Sequence, residues 1–261
     1  MRKGILITAL LVVCGAARAF DASPLLPWVA ESVDAFDPLS ISGCNLWLDA
    51  AAADTISADG NSVTNWTDKS TAGNNAVSIG AENTRPTRFP SEQNNLCAVG
   101  FDGGDYLATD YMSSATQTVF IVAKLTGGEA IMGSRDTTST RSFFGSYITT
   151  EGRALRASIG TDSLGRRSTT NQWDNSYHIF SAWYDGATVS KRFDGAEDES
   201  FAQSGSGDNT VRGYYIGALN DRGVPAIYFV GYIGEILIYQ SVLSPGEIGK
   251  IESYLLRKWG L

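Results

Sequence analysis

From residue 45 onward, short apolar runs alternate with clusters of Gly, Asn and Asp, the pattern of strands joined by turns. Residues 45–49, 118–124, 130–133, 142–148, 155–159, 177–184, 188–193, 214–217 and 228–239 read as strands. Residues 118–124 are rich in β-branched and aromatic side chains and apolar on both faces, as expected of a strand inside a sandwich. Asp185-Gly186 between 177–184 and 188–193 is a strong hairpin signal. Val99-Gly100-Phe101 runs through Asp102-Gly103-Gly104 into Tyr106-Leu107 and predicts a second, shorter hairpin. No helical period interrupts these segments, which excludes a parallel α/β sheet.

One helix closes the chain. Ser244 suits the N-cap, Pro245 the first helical position, and Glu247 completes a capping box. Ile248, Ile251, Leu255 and Trp259 then form one apolar stripe with Tyr254 beside it, and Gly260 is placed to end the helix. The stripe predicts docking on the sandwich.

The first residues carry a different pattern. Met1-Arg2-Lys3 is basic, 5–13 is apolar apart from Thr8, and Ala17-Arg18-Ala19 matches a signal-peptide cleavage site, so cutting near Ala19 is expected. The apolar run is about half the roughly 20 residues that span a bilayer. A lipoprotein through Cys14 is the alternative, against which Val12-Val13 lacks the small residue usual before a lipidated cysteine. The expected product is secreted, extracellular or periplasmic, without a transmembrane segment. Residues 20–40 carry Pro24, Pro27 and Pro38 without a clean period and read as a leader or linker, with a short helix over 28–36; the folded domain is expected from residue 41 to 261.

The whole chain has a formal charge of −8, and cleavage would remove Arg2, Lys3 and Arg18 without removing an acid. Such an acidic surface disfavours nucleic acid and anionic membranes and leaves carboxylates available for cations. Cys44 and Cys97 remain after cleavage. In an oxidising compartment the pair predicts a disulfide, provided the Cα separation allows it; two buried thiols are the alternative.

Several motifs together resemble a known family. Ile41-Ser42-Gly43 leading to Leu46-Trp47-Leu48-Asp49-Ala50 resembles the opening strand of bacterial and phage laminin G-like domains. Residues 63–68 with Lys69-Ser70, Gly73-Asn74-Asn75-Ala76 and Arg85-Pro86 are similar to the next stretch of those domains. Phe101-Asp102-Gly103 and Thr118-Val119-Phe120-Ile121-Val122 match the middle, and residues 232–239 with Leu243-Ser244 and Lys258-Trp259-Gly260-Leu261 match the end. The resemblance implies an all-β, two-sheet antiparallel jelly-roll sandwich of concanavalin A-like lectin/glucanase type with one C-terminal amphipathic helix. That fold hosts lectins, adhesins, glycosidases and lyases alike, so function must be read from a site.

Catalysis has weak sequence support. The Glu-x-Asp-x-x-Glu pattern of laminarinase-like glycosidases is missing. Glu197-Asp198-Glu199 is contiguous and reads as a solvated charge run in a loop, and Glu235 stands alone among apolar residues at a family position that looks structural. The lone His178 reads as a core or edge histidine. Related domains often hold calcium at the rim, and Asp49, Asp68, Asn74, Asp102 and Asp105 are the calcium candidates, each equally at home in a turn. For ligand contact the candidates are Trp173, with the flat apolar face and polar handle that suit a sugar ring, and Arg135, Tyr147, Asp221 and Arg222 near strand ends. The leading expectation is a secreted, non-catalytic recognition module that binds an extracellular glycan or another surface polymer, with calcium assisting. A structural or adhesion subunit of a cell surface or virion, acting on a surface protein, is the first alternative, and a polysaccharide-active hydrolase or lyase the second.

Overall fold

Alternation along the strands decides the layers. In the strand Gln117–Gly128, Val119, Ile121, Ala123 and Leu125 enter the main core, while Phe120, Val122 and Lys124 face the other way. The computed structural model describes residues 36–136, 141–149, 152–159, 174–202 and 213–261. Asp37–Leu261 forms one compact unit, so the sandwich begins slightly before the expected residue 41. Asp37 caps the short turn Pro38–Ser40, and Tyr239 Oη donates to the Pro38 carbonyl at 2.9 Å.

Gln117–Gly128 lies between Tyr177–Tyr184 and Phe229–Tyr239, antiparallel to both. Tyr177–Tyr184 pairs onward with Thr188–Phe193, and that strand with Ala196–Ala202. Phe229–Tyr239 also pairs with Cys44–Asp49 over one half of its length and with Leu96–Asp102 over the other. Thr87–Gln93 completes this layer beside Leu96–Asp102, through a turn in which Asn94 and Asn95 both take positive φ, as a type I′ hairpin requires.

The second layer runs from Gly152–Ile159 through Arg141–Thr149 to Ala130–Arg135, then to Tyr215–Ile216, Leu107–Ala108, Ala76–Val77, Ser62–Trp66 and Ile56–Asp59. Leu219–Asp221 adds a short parallel pairing with Ala130–Arg135. Trp66, Leu107, Met132, Phe144 and Ile216 meet the inner residues of the first layer in one core. The architecture is therefore an antiparallel two-sheet jelly-roll sandwich with a single C-terminal helix.

That helix, Pro245–Trp259, has the expected capping box, and Gly260 ends it at φ +68. Its apolar stripe is buried, together with Glu252, whose carboxylate accepts from Ser181 Oγ at 2.7 Å and pairs with Arg192.

Three expectations are corrected. Residues 99–107 do not form a hairpin: Leu96–Asp102 stays in the first layer, whereas Leu107–Ala108 crosses to the second. Glu197-Asp198-Glu199 belongs to the strand Ala196–Ala202, and Asp198 and Glu199 lie 3.2 and 3.3 Å from the buried Lys191 ammonium. Cys44 and Cys97 are free, buried thiols. Cys44 lies opposite Tyr239 and Val99 opposite Ile233, six positions along one strand or about 20 Å. The two residues from Val99 to Cys97 close about 7 Å of this at most, leaving far more than the roughly 7 Å that a disulfide tolerates. Residues 1–35, with the expected signal peptide, fall outside the described residues.

Candidate functional site

A cavity of about 360 Å³ opens where Thr87–Gln93, Leu96–Asp102 and Phe229–Tyr239 end together, on the face of the first layer that turns away from the core. Its apolar wall is Phe89 and Tyr232, packed edge to face with ring centroids 5.1 Å apart. Both rings lie over Gly100, where an added Cβ would stand 2.5 Å from Phe89 and 3.3 Å from Tyr232. Val99 and Phe101 point into the core, so Gly100 points outward, and its missing side chain lets the aromatic pair settle on the sheet.

Polar groups surround this wall: Asn83, Arg85, Thr87, Asp102, Asp105 and Thr126. The Asp102 carboxylate accepts from Gly104 N–H at 2.9 Å and stays exposed. Asp105 is buried and accepts from Asp102 N–H at 3.1 Å. Burial, helped by the neighbouring Asp102 charge, pushes the Asp105 carboxyl up to about 6. Lys124 stands beside the cavity, 2.6 Å from Glu92 and 4.5 Å from the Tyr232 ring centroid.

The hairpin that carries Phe89 is tied to the C-terminal helix. Gln93 Nε2 donates to the Trp259 carbonyl at 3.0 Å and Asn94 Nδ2 to the Lys258 carbonyl at 2.9 Å, so the helix end holds the turn that comes after Phe89. The helix is held in turn by Glu235. This buried carboxylate accepts from Trp47 Nε1 at 2.8 Å, Tyr254 Oη at 2.9 Å, Trp259 Nε1 at 2.9 Å and Lys258 Nζ at 2.7 Å. Burial and the Asp49 charge raise the Glu235 carboxyl. Asp49 also loses hydration, but Lys258 and Lys69, at 2.6 and 2.7 Å, hold it below the usual carboxylate range. Glu235 is thus a structural clasp, as its sequence position suggested.

The calcium candidates do not assemble into one coordination shell. Asp49 is opposite Glu235 and Asp102 opposite Val230, five positions along the same strand or about 17 Å. Asp49 is already paired with two lysines. Asp68 accepts four hydrogen bonds, from Trp47 N, Ser70 N, Ser70 Oγ and Asn74 N, which leaves little for an ion. Asn74 Nδ2 donates to the Asn45 carbonyl at 2.7 Å. Among the described residues no group of three His, Cys, Asp or Glu side chains is arranged to hold a metal.

Of the ligand candidates, Arg135, Asp221 and Arg222 do come together, at the end of Ala130–Arg135. Arg135 grips Asp221 through Nε, at 2.9 Å, and Nη2, and Arg222 Nε reaches the same carboxylate at 3.1 Å, so their charges are largely spent on one another. Tyr147 lies on Arg141–Thr149, and Trp173 falls outside the described residues. His178 sits between two carboxylates, Asp194 at 2.8 Å and Asp174 at 3.1 Å, and against Phe193.

The cavity residues Arg85, Phe89 and Tyr232 were not singled out as ligand contacts from the sequence. The usable signals are faint: Phe89 alternates with Thr87 in a strand masked by Pro90, and Gly100 interrupts an otherwise apolar run.

No family model and no curated protein sequence matches the chain. Among solved structures, domain 4 of an extracellular arabinanase from Geobacillus stearothermophilus, in complex with arabinotriose, matches with a TM-score of 0.57 and 14% identity, over 80% of this chain and 98% of that one. The Trypanosoma rangeli sialidase matches at 0.55 and 14%, over 84% of this chain and 33% of the sialidase. The binding domain of Paraclostridial Mosquitocidal Protein 1 matches at 0.55 and 10%, over 82% and 52%. At these identities the chain shares with them a β-sandwich fold.

Proposed function

We propose that this chain is a secreted, non-catalytic recognition module of laminin G-like type that binds a glycan in the cavity between Arg85, Phe89, Tyr232 and Asp102. The carrying observation is the composition of that cavity: an aromatic wall beside hydrogen-bonding groups, at a volume that suits a small ligand. The fold likeness to a domain in complex with arabinotriose supports the reading. Among the described residues no helix is long and apolar enough to cross a membrane. A glycan array, with and without chelator, tests it. Binding that is lost in Phe89→Ala and indifferent to chelator is expected; no binding under either condition would move the assignment to an adhesion subunit that contacts a surface protein.

One observation favours a second reading, a polysaccharide hydrolase. Asp105 is a carboxyl raised to about 6 beside a second carboxyl, Asp102, and a raised carboxyl is what a general acid requires. Against it, both carboxylates rise from one turn, three residues apart, and Asp105 is committed to Asp102 N–H rather than facing it across a bond. Release of reducing ends that disappears in Asp105→Asn would establish the hydrolase.

A further inference from the structure

We propose that the ligand of this cavity is an acidic sugar, whose carboxylate closes on Arg85 while its ring lies on Phe89 and Tyr232. The inference rests on the glycan reading above and adds its chemical class.

Arg85 is the unusual group in the cavity. Among the described residues its guanidinium makes no hydrogen bond and no ion pair, and its Nε is enclosed by protein with no acceptor. A guanidinium charge at the wall of a cavity with no acidic partner in the protein is left to be met by an acceptor that arrives from outside. Other partly buried arginines are neutralised within the protein: Arg135 by Asp221 and Arg192 by Glu252. Arg88, whose Nε is likewise unpartnered, falls on the opposite face of its strand from Thr87 and Phe89.

The carboxylates of the cavity do not fill this role. Asp105 and Asp102 are turned to the N–H groups of their own turn and form no ion pair with Arg85. The cavity therefore holds a guanidinium without an ion pair, two carboxylates turned to their own backbone, and an aromatic wall. A planar carboxylate matches the guanidinium fork with two parallel hydrogen bonds, whereas a neutral hydroxyl would leave the charge uncompensated. Ring hydroxyls would donate to Asp102, and the apolar ring face would rest on Phe89 and Tyr232.

Charge limits the ligand further. The chain carries −8 overall, and Asp102 lines the same cavity, so a densely anionic polymer is repelled. One acid group at a chain end, or spaced among neutral sugars, fits both the local cation and the surrounding field.

The test is calorimetric titration of the purified protein with galacturonate, glucuronate and N-acetylneuraminate, and oligosaccharides ending in them, each beside its carboxyl methyl ester. The expected result is at least tenfold tighter binding of one acid than of its ester, with Arg85→Gln abolishing the difference without lowering the unfolding midpoint. Equal affinity for acid and ester, lost in Phe89→Ala, would overturn the acidic class and keep the glycan reading. Acid preference that survives Arg85→Gln would overturn the assignment to this residue. Failure of every acidic and neutral sugar to bind would overturn both.

Discussion

The indole N–H of Trp259 donates to the Glu235 carboxylate at 2.9 Å, and the same indole covers Gly234, where an added Cβ would stand 2.6 Å from the ring. One residue pair thus joins the end of the helix to the middle of the longest strand pairing. Glu235→Gln places amide hydrogens among four donors and strands the Lys258 ammonium between a neutral group and Asp49. The expected loss is about 2–4 kcal/mol of unfolding free energy, read by denaturant titration. A loss below about 0.5 kcal/mol would show that the clasp is not needed to hold the helix.

Gly100 gives a prediction that separates binding from folding. Alanine there has ordinary backbone freedom, yet its Cβ meets Phe89 at 2.5 Å and must lift the ring from the sheet. Gly100→Ala should cost about 1–3 kcal/mol in stability. It should also weaken glycan binding about tenfold or more, because the aromatic wall no longer lies flat. Calorimetry on the folded variant distinguishes this from simple unfolding, and unchanged affinity would mean that the wall is not the binding surface.

His178 should make stability depend on pH in a defined direction. Burial pulls its pKa down, but the hydrogen bonds to Asp194 and Asp174 outweigh this and raise it. Only the imidazolium can donate to both carboxylates at once. Because the folded pKa is raised, the stabilisation is fully present below about 6.5 and is lost as pH rises through the folded value. His178→Gln should therefore cost about 1 kcal/mol near pH 5.5 and little near pH 8.5, a difference visible in unfolding midpoints at the two pH values.

Asp105 behaves oppositely to a salt-bridged acid. Its folded pKa of about 6 stands above the ordinary carboxylate value, through burial and then Asp102, so the folded state holds a proton that the unfolded state releases. Its contribution is favourable below about 4 and is lost as pH rises through about 6. Asp105→Asn keeps an acceptor for Asp102 N–H and removes the buried charge. It should stabilise the protein at pH 7.5 by about 1–2 kcal/mol relative to wild type, with no gain at pH 4. A gain at both pH values would place the effect in packing rather than in ionisation.

By itself the sequence determined what is local. Ser244, Pro245, Glu247 and Gly260 mark the helix ends because capping is satisfied within one turn of chain. Asp185-Gly186 marks its hairpin, and strand alternation separates Val119 and Ile121 from Phe120 and Val122. Glu235 was legible as structural, though its four donors were not. What only the tertiary structure decided depends on register between distant segments. Pairing positions alone keep Cys44 from Cys97 and Asp49 from Asp102. Arg85, Phe89, Gly100 and Tyr232 converge because three strands from distant parts of the chain end together. Within its own segment each is an ordinary strand or turn residue, and no local spacing distinguishes an arginine left without a partner from one that finds an acid elsewhere in the fold.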